Sequence, residues 1–285
     1  AKCTPHSPRD RALMTTNLPH APARPCRLIA DIGANHMGDL ALAKAMIDAA
    51  AEAGCDTVKF QSWRPEKLSK EFPDYEGAFA RHSRSQLSDQ AHEELIAYCA
   101  TRGVAFLTTC FDLDRVDFLA ALGLQEVKVA SPDCASTAML HRLMARFPRL
   151  IISTGMTDAA DVRRTIDMTQ GHDVMFLHCV SLYPTLPEQV NMARMLWLRD
   201  QGVPVGFSDH TMGTEAAKYA VALGAAAIEK HFTLSRRLPG KDQTVSGEPH
   251  EFRDIAAWIA LVERMRGVAN PPLSDEERRL RQVGG

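Results

Sequence analysis

The segment Val203–His231, VPVGFSDHTMGTEAAKYAVALGAAAIEKH, contains two short apolar runs, Val203–Phe207 and Ala225–Ile228, separated by a stretch of helical period. Each run is followed closely by a histidine, His210 after Ser208-Asp209 and His231 after Glu229-Lys230, and the two histidines lie 21 residues apart. An apolar run, a helix and a second apolar run form the unit from which parallel sheets are built. The two runs are therefore expected as neighbouring parallel strands whose carboxyl ends deliver both imidazoles to one edge of the sheet. Two imidazoles placed in that way can hold one divalent metal ion and leave its other positions open to substrate.

Outward from this segment the same unit recurs. Strand candidates begin near Arg27 (RLIADIG), Asp56 (DTVKFQ), Val104 (VAFLTT), Glu126 (EVKVAS), Arg149 (RLIIST), Asp173 (DVMFLHC), Val203 (VPVGFSD) and Ala225 (AAAIEKH), eight in all. Helices are predicted over Leu40–Ala53, Ser88–Arg102, Leu113–Leu122, Thr137–Phe147, Ala159–Gln170, Asn191–Asp200, Thr214–Leu223 and Pro249–Met265. In the first helix Leu42, Ala45, Met46, Ala49, Ala50 and Ala53 keep to one face, Asp39 is placed to cap the amino end, and Gly54 closes the other. Eight strand–helix pairs joined by short connections predict an α/β fold, a (β/α)8 TIM barrel over residues 27–268, which a chain of 285 residues accommodates as one unit. One long insertion, Ser62–Leu87, follows the second strand and carries Trp63, Phe72, Tyr75 and Phe79. An insertion on that edge is expected to wall the functional face.

Composition narrows the function classes. With 33 basic and 35 acidic residues the chain has no strong field, so nucleic acid is not expected as a partner. The seven cysteines are scattered and never form a Cys-x-x-Cys pair, which points to reduced thiols in a cytoplasmic protein rather than to a disulfide framework or zinc ribbon. Residues 1–26 hold five prolines and no apolar core segment, so an irregular arm is expected there, with no secretory signal and no membrane association.

In a TIM barrel function concentrates at the carboxyl ends of the strands. In chain order these ends present Asp31 with Asn35-His36, Lys59 and Gln61, Thr108-Thr109, then Lys128, Ser131 and Asp133. Ser153-Thr154, then His178, Ser181 and Tyr183, then Ser208-Asp209-His210 and Glu229-Lys230-His231 complete the set. Lysines inside strands made of Val, Ile and Phe are costly to bury without an anion. Lys59 and Lys128, beside many hydroxyls, therefore point to a pocket for phosphate and carboxylate. The plainer reading is a barrel-interior ion pair of either lysine with Asp31, Asp133 or Glu229. His36, His178, His210 and His231 can each be read as hydrogen-bonded barrel residues. His82, His92, His141, His172 and His250, in loops or on helices, are expected to be solvated.

The segments IADIGANHMGD, DTVKFQS, FLTTCFD, KVASPD, IISTGM, LHCVSLYPT, VGFSDHT, EKHFT and LPGKDQTVSGEP resemble, in order and spacing, the sialic acid (N-acetylneuraminate) synthase family of phosphoenolpyruvate-condensing enzymes. The resemblance implies a TIM barrel. It implies a transferase that joins phosphoenolpyruvate to the open-chain aldehyde of an N-acylated hexosamine such as N-acetylmannosamine, releasing phosphate, in polysaccharide biosynthesis. Carried over residue by residue, it implies that Lys59, Thr109, Lys128, Ser131, Ser153 and Ser208 hold phosphoenolpyruvate. His210 and His231 are then ligands of Mn²⁺ or Mg²⁺, Gln61, Tyr183 and Asp242 line the sugar, and Asp133 stands in the place of a catalytic carboxylate, with Asp31 a second. The resemblance also implies a homodimer.

This sequence departs from the family pattern at several points. Asp31 and Asp133 stand where Glu is found in many or some members, which shortens each carboxylate arm by one methylene. Ser181 replaces an Asn of some members, and Lys241 precedes Asp242 where Pro or Trp is frequent. Residues 269–285 resemble only the linker that in the family precedes a small antifreeze-like domain, so a catalytic barrel without that domain is expected, ending in a tail or linker remnant. Three other readings are carried forward: a legionaminic or pseudaminic acid synthase, a Schiff-base aldolase using Lys59 or Lys128, and a non-catalytic sugar-acid-binding remnant.

Overall fold

The structure, a computed structural model, describes residues 26–71, 74–267 and 271–283. The arm expected over residues 1–26 thus lies outside the described residues except for Cys26, as does Phe72 of the insertion. Strands β1 (Arg27–Gly33), β2 (Thr57–Ser62), β3 (Ala105–Cys110) and β4 (Glu126–Val129) are followed by β5 (Arg149–Ser153), β6 (Asp173–Cys179), β7 (Val205–Asp209) and β8 (Ala227–His231). All pair in parallel with their sequence neighbours, and β8 returns to β1, closing the barrel. The predicted (β/α)8 architecture is therefore the observed one.

The helices are α1 (Leu40–Glu52), α2 (Tyr75–Ser85), α3 (Asp89–Thr101), α4 (Val116–Ala121) and α5 (Thr137–Met144). They continue with α6 (Ala159–Met168), α7 (Ala193–Asp200), α8 (Glu215–Ala222), α9 (Pro249–Arg266) and α10 (Asp275–Val283). Asp39 caps α1 by accepting hydrogen bonds from the amides of Ala41 and Leu42, and Gly54 takes a left-handed φ of +86° where the chain turns back into β2. Two helices were not foreseen. The insertion after β2 folds into α2, whose sequence YEGAFARHSRS is mostly polar and buries only Ala78 and Ser85. The segment expected as a tail contains α10, which is charged along its length and wholly exposed. No helix among the described residues is long and apolar enough to cross a membrane.

Strand alternation sorts the side chains into two sets. One set, including Leu28, Ala30, Val58, Phe60, Phe207 and Ile228, packs outward against the helices, where each large side chain contributes about 1.5–3 kcal/mol by burial. The other set fills the barrel in layers. Arg27, Thr57 and Glu126 close the amino-terminal end, with Arg27 Nε 2.7 Å from Thr57 Oγ1 and its Nη1 2.5 Å from Glu126 Oε2. Ile29, Leu107, Ile151, Leu177 and Ala227 form an apolar middle layer. Gly206 belongs to this interior set, because a Cβ there would lie 2.6 Å from Leu177 Cδ2 and 2.5 Å from the Ala227 carbonyl. Above this apolar plug the layer turns polar, and there the candidate site begins.

Candidate active site at the carboxyl ends of the strands

Register alone brings the key residues together. Asp31 is the cross-strand partner of both Lys59 and His231, Thr109 partners Lys128, and Ser208 partners Glu229. Lys59 Nζ lies 2.7 Å from Asp31 Oδ2, 3.3 Å from Thr109 Oγ1 and 3.7 Å from Glu229 Oε1. Lys128 Nζ donates to Ser153 Oγ at 2.6 Å and to the Val129 carbonyl at 3.0 Å, and stands 3.8 Å from Glu229 Oε1. Ser208 Oγ donates to the same Glu229 oxygen at 3.2 Å. The ion pairing expected for the lysines is present with Asp31 and Glu229, and absent with Asp133.

Burial and charge act against each other here. Desolvation disfavours the Lys59 ammonium, but Asp31 and then Glu229 more than offset it, so Lys59 holds its proton above the usual lysine range. For Lys128 desolvation outweighs Glu229, and its affinity for the proton is lowered. Glu229 is opposed by burial yet held below the ordinary carboxylate range by Lys128 and Lys59.

Of the remaining residues expected to hold phosphoenolpyruvate, Ser131 accepts a hydrogen bond from the Gly155 amide at 3.1 Å. A Cβ on Gly155 would lie 2.7 Å from Ser131 Oγ and 2.3 Å from Ser181 Oγ, so only glycine lets the backbone approach these hydroxyls. All six side chains expected around the anion thus line the mouth of one barrel.

His210 and His231 face each other with ring centroids 5.6 Å apart and planes inclined by 27°. The Nδ1–H of His210 donates to the Val180 carbonyl at 2.8 Å, which can only accept, so in the neutral ring Nε2 carries the lone pair. His231 Nδ1 lies 3.5 Å from Asp31 Oδ2, with no hydrogen bond among the described residues. Tyr183 covers both rings, at 4.1 Å from His210 and 5.9 Å from His231. Among the described residues no set of three or more His, Cys, Asp or Glu side chains is gathered for a metal ion. The facing imidazoles of His210 and His231 are the protein donors the site offers a divalent ion among the described residues, and two imidazole nitrogens fit one whose other positions go to water and substrate.

Gln61 and Asp242 share a cavity of about 310 Å³ with Asn35, Trp63, Arg81 and Lys241. Arg81 belongs to α2, so the insertion walls the functional face. Asp133 stands apart from the lysine cluster. Its carboxylate makes no hydrogen bond among the described residues, and burial, followed by the nearby Asp112 carboxylate, raises its pKa.

One residue beside the site escaped the sequence reading: Cys179 sits two positions after Leu177, so alternation alone places it inside the barrel. Glu229, two positions before His231, faces the lysines as the ion-pair reading expects. The Cys179 thiol is 3.9 Å from His210 Nδ1, and although burial raises its pKa, His210, Ser131 and Lys128 bring it below the usual thiol range.

Other titratable groups are structural. Lys230, beside Glu229, points the other way and forms an ion pair with Asp209 at 2.9 Å under the helix layer. His178 shares its Nε2 with the Val190 carbonyl at 2.7 Å, and His36 stacks near Phe60 at 5.8 Å. His92, expected to be solvated, is fully buried between Phe106 and Phe118, because it shares the inner face of α3 with Ala91, Leu95 and Cys99. His82 packs edge-on against Trp63 at 5.1 Å and His172 is half-buried, while His141 and His250 are exposed as expected. The six described cysteines are buried.

Comparison with known proteins places this geometry. The NeuB family model matches residues 46–270. The N,N′-diacetyllegionaminic acid synthase of Legionella pneumophila is 36% identical over 284 residues, spanning 93% of this chain and 80% of that protein. The N-acetylneuraminate-9-phosphate synthase of Homo sapiens is 32% identical over 257 residues, spanning 85% of this chain and 72% of that protein. Among solved structures, the N-acetylneuraminic acid synthetase of Leptospira borgpetersenii in complex with citrate superimposes with a TM-score of 0.84 at 29% identity, over 91% of each chain.

Proposed function

This chain belongs to the NeuB family, and from that premise we propose that it is a nonulosonic acid synthase condensing phosphoenolpyruvate with the open-chain aldehyde of an N-acylated hexosamine. The observation that carries the reading is the juxtaposition of Lys59, Lys128, Thr109, Ser131, Ser153 and Ser208 with the facing pair His210 and His231 at one barrel mouth. A bare aldolase reading leaves the histidine pair without a task. Of the two lysines it could use, Lys59 is held charged by Asp31, and Lys128, whose affinity for the proton is lowered, spends its short hydrogen bond on Ser153.

The residues divide the work by chemistry. Lys59 and Lys128, with the surrounding hydroxyls, bind the phosphate and carboxylate of phosphoenolpyruvate and fix the plane of its double bond. Gln61, Tyr183 and Asp242 orient the sugar so that its aldehyde carbon faces C3 of phosphoenolpyruvate. His210 and His231 would hold Mn²⁺ or Mg²⁺, which when bound would supply Lewis acidity toward the aldehyde oxygen. As the new carbon–carbon bond forms, positive charge develops at C2 and a water adds there. Asp133, whose pKa is raised, takes the proton of that water. The resulting hemiketal phosphate expels inorganic phosphate, held by the lysines, and leaves the 2-keto acid.

The named relatives act on different acceptors, and the 36% identity to a diacetyllegionaminic acid synthase favours a diacetamido sugar as a second acceptor to test beside N-acetylmannosamine. The decisive experiment measures phosphate release from phosphoenolpyruvate with a panel of N-acylated hexosamines, in Mn²⁺ and in chelator. Release with at least one sugar, abolished by chelator, is expected. No release with any sugar would refute the synthase, and release indifferent to chelator would refute the metal assignment.

A further inference from the structure

One oxygen of Glu229 occupies the centre of the anion site. Glu229 Oε1 lies 3.7 Å from Lys59 Nζ and 3.8 Å from Lys128 Nζ, and accepts from Ser208 Oγ at 3.2 Å. These are three of the groups assigned above to phosphoenolpyruvate, and none of the steps given there uses Glu229. Both ammonium distances exceed the roughly 2.7–2.9 Å of a charge-assisted hydrogen bond. Each lysine spends its short bonds elsewhere, Lys59 on Asp31 at 2.7 Å and Lys128 on Ser153 at 2.6 Å. Glu229 Oε2 is buried without a hydrogen-bond partner among the described residues. A carboxylate buried in this way is costly to keep unless its charge is needed. Lys59 and Lys128 against Asp31 and Glu229 give a buried cluster with no net formal charge.

We propose that Glu229 is a built-in counter-anion, a positioning residue that holds the place of the ligand's anionic group between Lys59 and Lys128 and yields both ammoniums when that group arrives. The inference takes the ligand's identity from the proposed function, while the anion site itself rests on the geometry. Its consequence is selectivity. A small anion that reaches one lysine gains little against the repulsion of Glu229, whereas a ligand with two anionic ends engages both lysines at once and displaces it.

The test compares wild type, Glu229→Gln and Glu229→Asp by calorimetric titration with inorganic phosphate and, separately, with phosphoenolpyruvate. Removing the like charge is expected to tighten phosphate binding about tenfold or more in Glu229→Gln, with a smaller gain in Glu229→Asp, whose carboxylate is withdrawn by one methylene. The melting temperature of Glu229→Gln in anion-free buffer is expected to fall below that of wild type and to recover in phosphate. In turnover, KM for phosphoenolpyruvate and kcat are expected to fall together, because the gain is in ground-state binding. A Glu229→Gln protein that folds only in phosphate gives the same result in stronger form. The proposal is overturned if both variants bind phosphate no tighter than wild type, or if Glu229→Gln stays unfolded with phosphate present and Glu229→Asp binds no tighter. Tighter phosphate binding by the variants, with no turnover of phosphoenolpyruvate by wild type, would retain the counter-anion and discard the synthase.

Discussion

Asp31 and Lys59 are register partners on β1 and β2, and their charged ends meet at 2.7 Å with 5% and 4% of the respective side chains exposed. The pair is as much a part of the barrel core as the apolar layer beneath it. Removing one member strands the other charge in a place water does not reach, so Lys59→Met is expected to cost about 3–5 kcal/mol of stability. Asp31→Asn is expected to cost less, because Glu229 remains 3.7 Å from Lys59. The double variant is expected to be less destabilised than the sum of the two by about 1–3 kcal/mol. Urea denaturation of the four proteins at pH 7 measures that coupling, and strict additivity would show that the pair does not act as a unit.

The proposed metal ion depends on the facing rings of His210 and His231. Mn²⁺ is expected to raise the melting temperature of wild type and to leave His210→Ala and His231→Ala unmoved, with phosphate release lost in both. Asp31→Asn, which loosens the orientation of His231, is expected to weaken Mn²⁺ binding by about 10–100-fold. Equal Mn²⁺ stabilisation of wild type and both alanine variants would place the ion elsewhere.

Gly155 tests the phosphate side of the site. Because a Cβ there would meet Ser181 Oγ at 2.3 Å and Ser131 Oγ at 2.7 Å, Gly155→Ala must push one hydroxyl aside. A cost of about 1–3 kcal/mol in stability is expected, together with a rise in KM for phosphoenolpyruvate larger than that for the sugar. An unchanged KM for phosphoenolpyruvate would remove Ser131 from the anion site.

What the sequence made legible follows from how strongly each feature is specified locally. The eight strands stand out because each is a short apolar run bounded by glycine or a polar turn, and two-residue alternation then places Lys59, Lys128, Ser208 and His231 inside without further information. Glu229 obeys the same alternation and is legible as a partner for the lysines. What the closed barrel adds is that one carboxylate oxygen reaches both ammoniums, while Lys230 pairs with Asp209 under the helices. His92 looked polar and solvated because a histidine on a helix carries no sign of which face it occupies until Phe106 and Phe118 are placed around it. Helix α2 is hard to read inside the long insertion because it is mostly polar, packs chiefly through Ala78 and Ser85, and borrows Trp63 from the preceding loop, whose indole N–H donates to the His82 carbonyl at 3.1 Å.

The buried histidines outside the site set the acid limit of the fold. His36 is fully buried, and its Nδ1 accepts the amide of Gly38 at 3.0 Å, so the ring's proton resides on Nε2, which has no partner. A second proton would have to displace the Gly38 amide. Burial, followed by the nearby His92, accordingly lowers the His36 pKa from 6.5 to about 4. Between those values the unfolded chain binds the proton and the folded chain does not. Stability from this group is therefore fully present above pH 6.5 and is lost as pH falls toward 4. The span corresponds to about 3 kcal/mol for His36. His92 and His178, both lowered chiefly by burial, add in the same direction. Urea denaturation of wild type between pH 7.5 and 4.5 is expected to show unfolding free energy falling with pH, and His36→Gln, whose amide oxygen can still accept from Gly38, is expected to flatten that slope. A slope unchanged in His36→Gln would mean that this imidazole titrates alike in the folded and unfolded chains.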